Sequence, residues 1–128
     1  MDMINIWKTV ITQRYAKFDG RAGRAEFWWF ALANIVLYFA VLIVVGIGYA
    51  IASGLGVVLV IAAVALYLAI IVPSIGVAIR RLHDTDKSGW WLLIGLIPFG
   101  GLVLLFFYIQ EGTVGQNTFG AAAEPSGV

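Results

Sequence analysis

The chain has 128 residues, enough for one domain. It is 62% hydrophobic and only 12% charged, with a mean hydropathy of +0.96. Soluble domains are about half apolar and about a quarter charged, so this composition points to an integral membrane protein whose apolar surface is covered by lipid. A net charge of +1 argues against bulk nucleic-acid binding. The absence of Cys excludes disulfides, thiolate metal sites, iron–sulfur clusters and Cys nucleophiles, and a single His excludes a His-pair metal site within one chain.

Residues 3–18 carry apolar side chains at Met3, Ile4, Trp7, Val10, Ile11, Tyr15 and Phe18, mostly three and four apart. Asn5, Lys8, Thr9, Thr12, Gln13 and Lys17 take the other face, and Ile6 falls outside the pattern. The spacing predicts an amphipathic helix lying in the membrane interface, its Trp and Ile side in acyl chains and its lysines at head groups, with Asp2 placed to cap its start. A helix packed on a partner is the alternative. The segment lacks the uninterrupted apolar core and cleavage pattern of a secretory signal.

Asp19-Gly20 is a turn signal. Arg21, Arg24 and Glu26 follow, then Phe27-Trp28-Trp29-Phe30, a combination that marks a membrane boundary. Residues 1–25 therefore form the interfacial helix and basic boundary, and a first span is predicted over 26–48. Residues 27–79 contain no charge and no His. As one helix they would reach about 80 Å, so they must fold back. The break is expected at the Gly-rich run from Gly46 to Gly56, with a second span over 56–79. Pro73 lies inside that span; it frees the carbonyl near Ala69 and predicts a kink, with Ser74 available to re-satisfy the backbone.

The charged loop 80–88 holds Arg80, Arg81, His83, Asp84, Asp86 and Lys87. A third span is expected from Gly89-Trp90-Trp91 to Ile109, kinked at Pro98. A re-entrant hairpin turning at Pro98-Phe99-Gly100-Gly101 is the competing arrangement. The kinked span is preferred because a lipid-exposed turn leaves backbone groups unpaired. Residues 111–128 read as a polar and small-residue tail, disordered from Gly120 onward. The expected fold is thus all-α: an N-terminal amphipathic interfacial helix plus a three-span membrane domain over 26–110. All eight Lys and Arg fall within 8–24 and 80–87. With three spans, the positive-inside rule places the N-terminal segment and loop 80–88 in the cytoplasm, and the Gly-rich turn and C-terminus outside.

Four features are candidates for function. His83, Asp84 and Asp86 have metal-ligand chemistry, but a site needs further ligands from Asp19, Glu26 or another subunit; the plainer reading is an ion-paired turn, and neither metal nor cofactor is expected. Arg21, Arg24 and Glu26 share a side with Arg80, Arg81, His83, Asp84 and Lys87. Pairs Arg24–Asp84 or Glu26–Arg81 would fix helix depth, and the joint basic surface suits an anionic lipid phosphate or an acidic partner segment. Trp7, Trp28, Trp29, Trp90 and Trp91 are expected interface anchors. Gly46, Ala50 and Gly54, and Ala65 with Ala69, have the small-xxx-small spacing of close helix packing, within the chain or in a homo-oligomer.

Four segments together resemble the YhaH-like small bacterial inner-membrane proteins, a family catalogued as a domain of unknown function. They are Phe18-Asp19-Gly20-Arg21-Ala22-Gly23-Arg24-Ala25-Glu26-Phe27-Trp28-Trp29-Phe30, Arg80-Arg81-Leu82-His83-Asp84 running to Ser88-Gly89-Trp90-Trp91, Ile97-Pro98, and Gly112-Thr113 to Gly115-Gln116-Asn117 and Phe119-Gly120. The resemblance spans residues 15–120. This chain departs from it at Thr118, where the family tends to a basic residue, and at Ala121-Ala122, where it tends to Asp-Pro. The resemblance implies location and fold; it carries over no catalytic residue. The expected role is a non-enzymatic interaction or anionic-lipid-contacting module that self-associates. The alternatives are a component of a small-solute or lipid transport system and a metal-dependent membrane enzyme at His83 and Asp84.

Overall fold

The computed structural model describes residues 3–121. It contains α1 (Met3–Gln13), α2 (Arg24–Ile51), α3 (Ser53–Asp84), a 3-10 arm (Gly89–Leu96) and α4 (Gly100–Ile109). Helices α2 and α3 have 28 and 32 residues. At about 1.5 Å per residue they run some 40–50 Å, enough for the hydrocarbon core of about 30 Å and its head-group layers. Only 6% and 11% of their most apolar stretches are buried in the protein. A soluble core helix would show the opposite, so lipid must cover these faces.

The reversal between α2 and α3 takes one residue, Ala52, in an extended conformation, with its N–H donating to the Gly48 carbonyl at 3.0 Å. Gly48 and Gly56 are buried where the helices meet; a Cβ on either would strike Leu59 or the Tyr49 ring. The expected stripe of Gly46, Ala50 and Gly54 is corrected. The turn at Ala52 divides it between two helices, and Gly46 and Gly54 face open space. Pro73 is accommodated as predicted in kind but not in partner. The carbonyl it frees, on Ala69, accepts from the Tyr15 hydroxyl at 2.5 Å, a role the sequence reading gave to Ser74.

Helix α1 packs part of its apolar face on α2 and α3, while Ile4 stays exposed. Ile6 and Val10 form a core with Phe30 and Val77, flanked by Trp7, Ile11 and Phe27. Ile6, the exception to the sequence pattern, is at the centre of it. The Trp7 indole donates to Asn34 Oδ1 at 2.9 Å, so this Trp turns toward α2. The expected cap, Asp2, lies outside the described residues.

The third span is not one kinked helix. The 3-10 arm and α4 run antiparallel: Trp91 meets Phe107 edge-on at 5.6 Å, and the Ile94 carbonyl lies against Gly100, where any Cβ would collide with it. The objection to a hairpin was an unpaired turn, and two of the turn's carbonyls are paired. The Gly100 N–H donates to the Ile97 carbonyl at 2.8 Å and the Leu102 N–H to the Phe99 carbonyl at 3.1 Å. Pro98 has no N–H to satisfy, and Phe99 takes the left-handed conformation (φ 65°, ψ −2°) that a type II turn needs at its third position.

A hairpin returns the chain to its starting end. The Thr113 N–H donates to the Asp84 carbonyl at 2.7 Å. The expectation that the C-terminal segment lies on the face opposite loop 80–88 is therefore corrected as far as residue 121; the expected disorder of the tail falls mostly on 122–128, outside the described residues. The loop itself is shorter than predicted, since residues 80–84 form the last turn of α3.

Candidate functional site

The last turn of α3 sets out the site. Arg81 and Asp84 are three apart and share a face, while Arg80 points about 100° away. Alongside runs an extended stretch ahead of α2: the Ala22 N–H donates to the Arg80 carbonyl at 2.9 Å, and Arg81 Nη1 donates back to the Ala22 carbonyl at 3.4 Å. This clip brings Arg21 to Asp84 and the first turn of α2, with Glu26, to Arg80.

Two ion clusters result. Glu26 lies between Arg14, at 2.7 Å, and Arg80, at 2.6 Å. Asp84 lies between Arg21, at 3.0 Å, and Arg81, at 2.6 Å. The side chains of Arg21, Arg80 and Arg81 are each at most 1% exposed. Buried charges at this depth persist only when paired and fully hydrogen-bonded, and most remaining guanidinium N–H groups do find carbonyls. Arg80 Nε donates to Lys17 at 3.2 Å. Arg81 donates to the carbonyls of Tyr108, at 3.1 Å, and Gln110, closing the C-terminal end of α4 where a cation is favoured. Trp28 Nε1 also donates to the Tyr108 carbonyl, at 3.3 Å.

The segment 112–120 completes the belt. Arg21 donates to the carbonyls of Thr113, at 2.5 Å, and Gly115, at 2.6 Å, with a longer contact to Gly120 at 3.3 Å. Gly112 passes so close to the Asp84 carboxylate that no side chain fits there. His83 Nδ1 donates to the Gly20 carbonyl at 2.9 Å, and its ring stacks flat on Phe119 at 4.0 Å. The Asn117 side-chain amide donates to the His83 carbonyl at 2.9 Å, and the Thr118 N–H donates to Asp86 Oδ1 at 3.1 Å. Lys87 Nζ lies 4.5 Å over the Phe107 ring.

Of the residues singled out from sequence, Arg21, Glu26, Arg80, Arg81, His83, Asp84 and Lys87 gather here, and Arg24 stays exposed beside them. The expected pairs shift: Asp84 takes Arg21 rather than Arg24, and Glu26 takes Arg80 rather than Arg81. Both Asp84 oxygens are occupied by arginines, and among the described residues no three His, Asp or Glu side chains group to hold a metal. Trp29, Trp90 and Trp91 are exposed, as interface anchors would be. Sequence reading missed Arg14, Asn117 and Phe119 as parts of the site. The i,i+3 spacing of Arg81 and Asp84 was a usable signal, since it leaves Arg80 for Glu26.

The arrangement defines a small α-helical membrane protein: a two-helix hairpin clasped at its charged end by its own N- and C-terminal segments. Residues 15–121 match the family described as "Protein of unknown function (DUF805)", and the chain belongs to it. It is 41% identical over 116 residues to "Inner membrane protein YhaH" of Escherichia coli (strain K12), covering 89% of this chain and 93% of that protein. It is 40% identical over 115 residues to "Inner membrane protein YhaI" of the same strain, covering 89% and 92%. No solved structure matches the chain. Family membership and the two lipid-facing helices together place it in the inner membrane.

Proposed function

We propose that the chain is a non-enzymatic inner-membrane module whose charged end is a preassembled cationic platform for anionic lipid head groups. The observation that carries this reading is the imbalance of the belt: each of two buried carboxylates is shared by two arginines. The surplus positive charge sits where the apolar helices end, at head-group depth. Arg80 Nη2 is buried without a hydrogen-bond partner among the described residues, so the cations open to a head group here are Arg24 and Lys17, which lie exposed nearby. Each Lys or Arg near an anionic surface contributes about 1 kcal/mol of attraction. All Lys and Arg lie at this end of the α2–α3 pair and none at the Ala52 turn, so the positive-inside rule assigns the belt to the cytoplasmic face.

The non-enzymatic part of the proposal rests on commitment of side chains. Glu26, His83 and Asp84, the groups suited to proton transfer, are held by partners in the same chain. A transport role would require a polar path along α2 and α3. The groove between them is lined mainly by Ile and Leu with Asn34, Tyr38, Tyr67 and Ser74, and Asn34 is taken by Trp7.

The test is lipid retention. The full chain is purified from bilayers of mixed phosphatidylglycerol and phosphatidylcholine, and co-purifying lipid is counted. Phosphatidylglycerol should be enriched, and Arg24→Gln with Lys17→Gln, both outside the buried pairs, should weaken retention by roughly fivefold for each charge. Equal retention of the two lipids by the wild-type chain refutes the reading.

A further inference from the structure

We infer that residues 89–109 are seated in the acyl chains of one leaflet, the leaflet next to the charged belt, which makes the protein a one-leaflet wedge. This uses the membrane placement of α2 and α3 but not the charge preference proposed above.

The hairpin has no polar face. Between Gly89 and Ile109 the only polar groups on side chains are two indoles and the Tyr108 hydroxyl. Leu96, Leu102 and Phe106 are 60% exposed or more, on both arms. A helix apolar all round is stable in lipid, whereas one lying on the surface needs a wet side. Its base is held at belt level: Gly89 lies against Ile79, the Tyr108 ring meets Phe27 at 4.4 Å, and Arg81 grips the Tyr108 carbonyl.

Length then fixes depth. Eight residues of 3-10 helix rise about 16 Å, and ten of α-helix about 15 Å. Each arm covers half of a hydrocarbon core of about 30 Å and cannot cross it. The turn at the tip suits that depth, because Pro98 has no N–H and the carbonyls of Ile97 and Phe99 are bonded. Phe99 supplies the independent sign. It is 83% exposed and holds a left-handed conformation that costs a non-Gly residue roughly 1–2 kcal/mol. Water gives such a ring nothing in return. Acyl chains around it give back roughly 1.5–3 kcal/mol.

The consequence is asymmetry of area. The belt-side leaflet holds α2, α3 and both arms; the other holds α2, α3 and the Ala52 turn. Each helical arm is about 10–12 Å across, so the two add roughly 200 Å² to one leaflet only. A body of that shape concentrates where the belt-side leaflet is convex and its lipids are spread apart.

The experiment uses the full chain, which has no native Cys, in vesicles of phosphatidylcholine alone, so that loss of charge preference does not affect it. Phe99→Cys carrying a fluorophore should be quenched most by lipids labelled deep in the acyl chain, and Trp90→Cys by lipids labelled near the head group. Leu102→Cys, outside the turn, repeats the deep reading if loss of the Phe99 ring disturbs the hairpin. Molecules with the belt facing outward, identified by an accessible N-terminal tag, should be severalfold denser on small vesicles than on large ones. Reaction of the residue-99 thiol with an impermeant maleimide from either side overturns the seating. So does disulfide crosslinking between copies at position 99 that persists on dilution with lipid, because a second copy then covers the hairpin. Equal density on small and large vesicles overturns the wedge.

Discussion

The substitution Asp84→Asn keeps the shape of the side chain and removes its charge. In the wild type this carboxylate is 7% exposed and accepts from Arg21 at 3.0 Å and Arg81 at 2.6 Å. Removing one member of a buried ion pair costs about 3–5 kcal/mol, because the partner charge stays buried. Here two arginines are left, and one of them also holds residues 113 and 115 through their carbonyls. Taking the lower end, about 3 kcal/mol, the ratio of closed to open belt falls about a hundredfold. The Thr113 amide reports it directly, since its N–H is bonded to the Asp84 carbonyl. Hydrogen exchange on the protein in micelles should accelerate by about that factor across 112–120, while the amides around Ala52, at the far end of α2 and α3, keep their rates. Asp19→Asn, at an exposed position, is the control and should change nothing. Unchanged exchange at Thr113 in Asp84→Asn, or equal acceleration in the control, refutes the claim that this pair closes the belt.

Three further outcomes are expected. Tyr15→Phe leaves the Ala69 carbonyl without its donor and should cost about 1–3 kcal/mol, read as a lower thermal midpoint in micelles. In a Pro73→Ala background the restored N–H at 73 supplies that bond, so an undiminished cost there argues against the pairing. Gly112→Ala drives a methyl group into the Asp84 carboxylate and should cost about 1–3 kcal/mol, seen as faster proteolysis within 112–120; wild-type resistance contradicts the close approach. Arg14→Gln and Arg80→Gln remove the two partners of Glu26, whose side chains are 24% and 1% exposed. The first should cost under about 1 kcal/mol and the second about 3–5 kcal/mol, and the reverse order of thermal stability refutes the assignment of burial.

The two spans were legible because hydrocarbon tolerates no charge: the gap from 27 to 79 and the Lys and Arg at its edges mark them without reference to packing. Residues 89–109 were not legible in the same way. A span and a half-depth hairpin have the same composition, and the difference lies in the backbone: a Pro at the second turn position, a left-handed Phe99, and Gly100 admitting the Ile94 carbonyl. The belt was half legible. Its residues were identified by type, but their pairing depends on helix phase, and Asp84 was given Arg24 rather than Arg21 because Arg21 precedes α2 in extended chain instead of standing on the helix with Arg24. The C-terminal segment was hardest to read. It contributes mostly main-chain oxygens to Arg21, and a carbonyl carries no mark of side-chain identity.

The grip of Arg21 on the carbonyls of Thr113 and Gly115 also bears on the order in which the protein is assembled. The two sides of this contact are more than 90 residues apart in the chain. During synthesis, α2 and α3 are complete and can enter the membrane while Arg21 still lacks those acceptors and Arg81 still lacks Tyr108 and Gln110. A nascent chain therefore leaves these guanidinium N–H groups to water at the membrane surface until residues 112–120 arrive. The belt is in this sense a completion mark: a chain cut short before Gly112 has both membrane helices but an open cationic end.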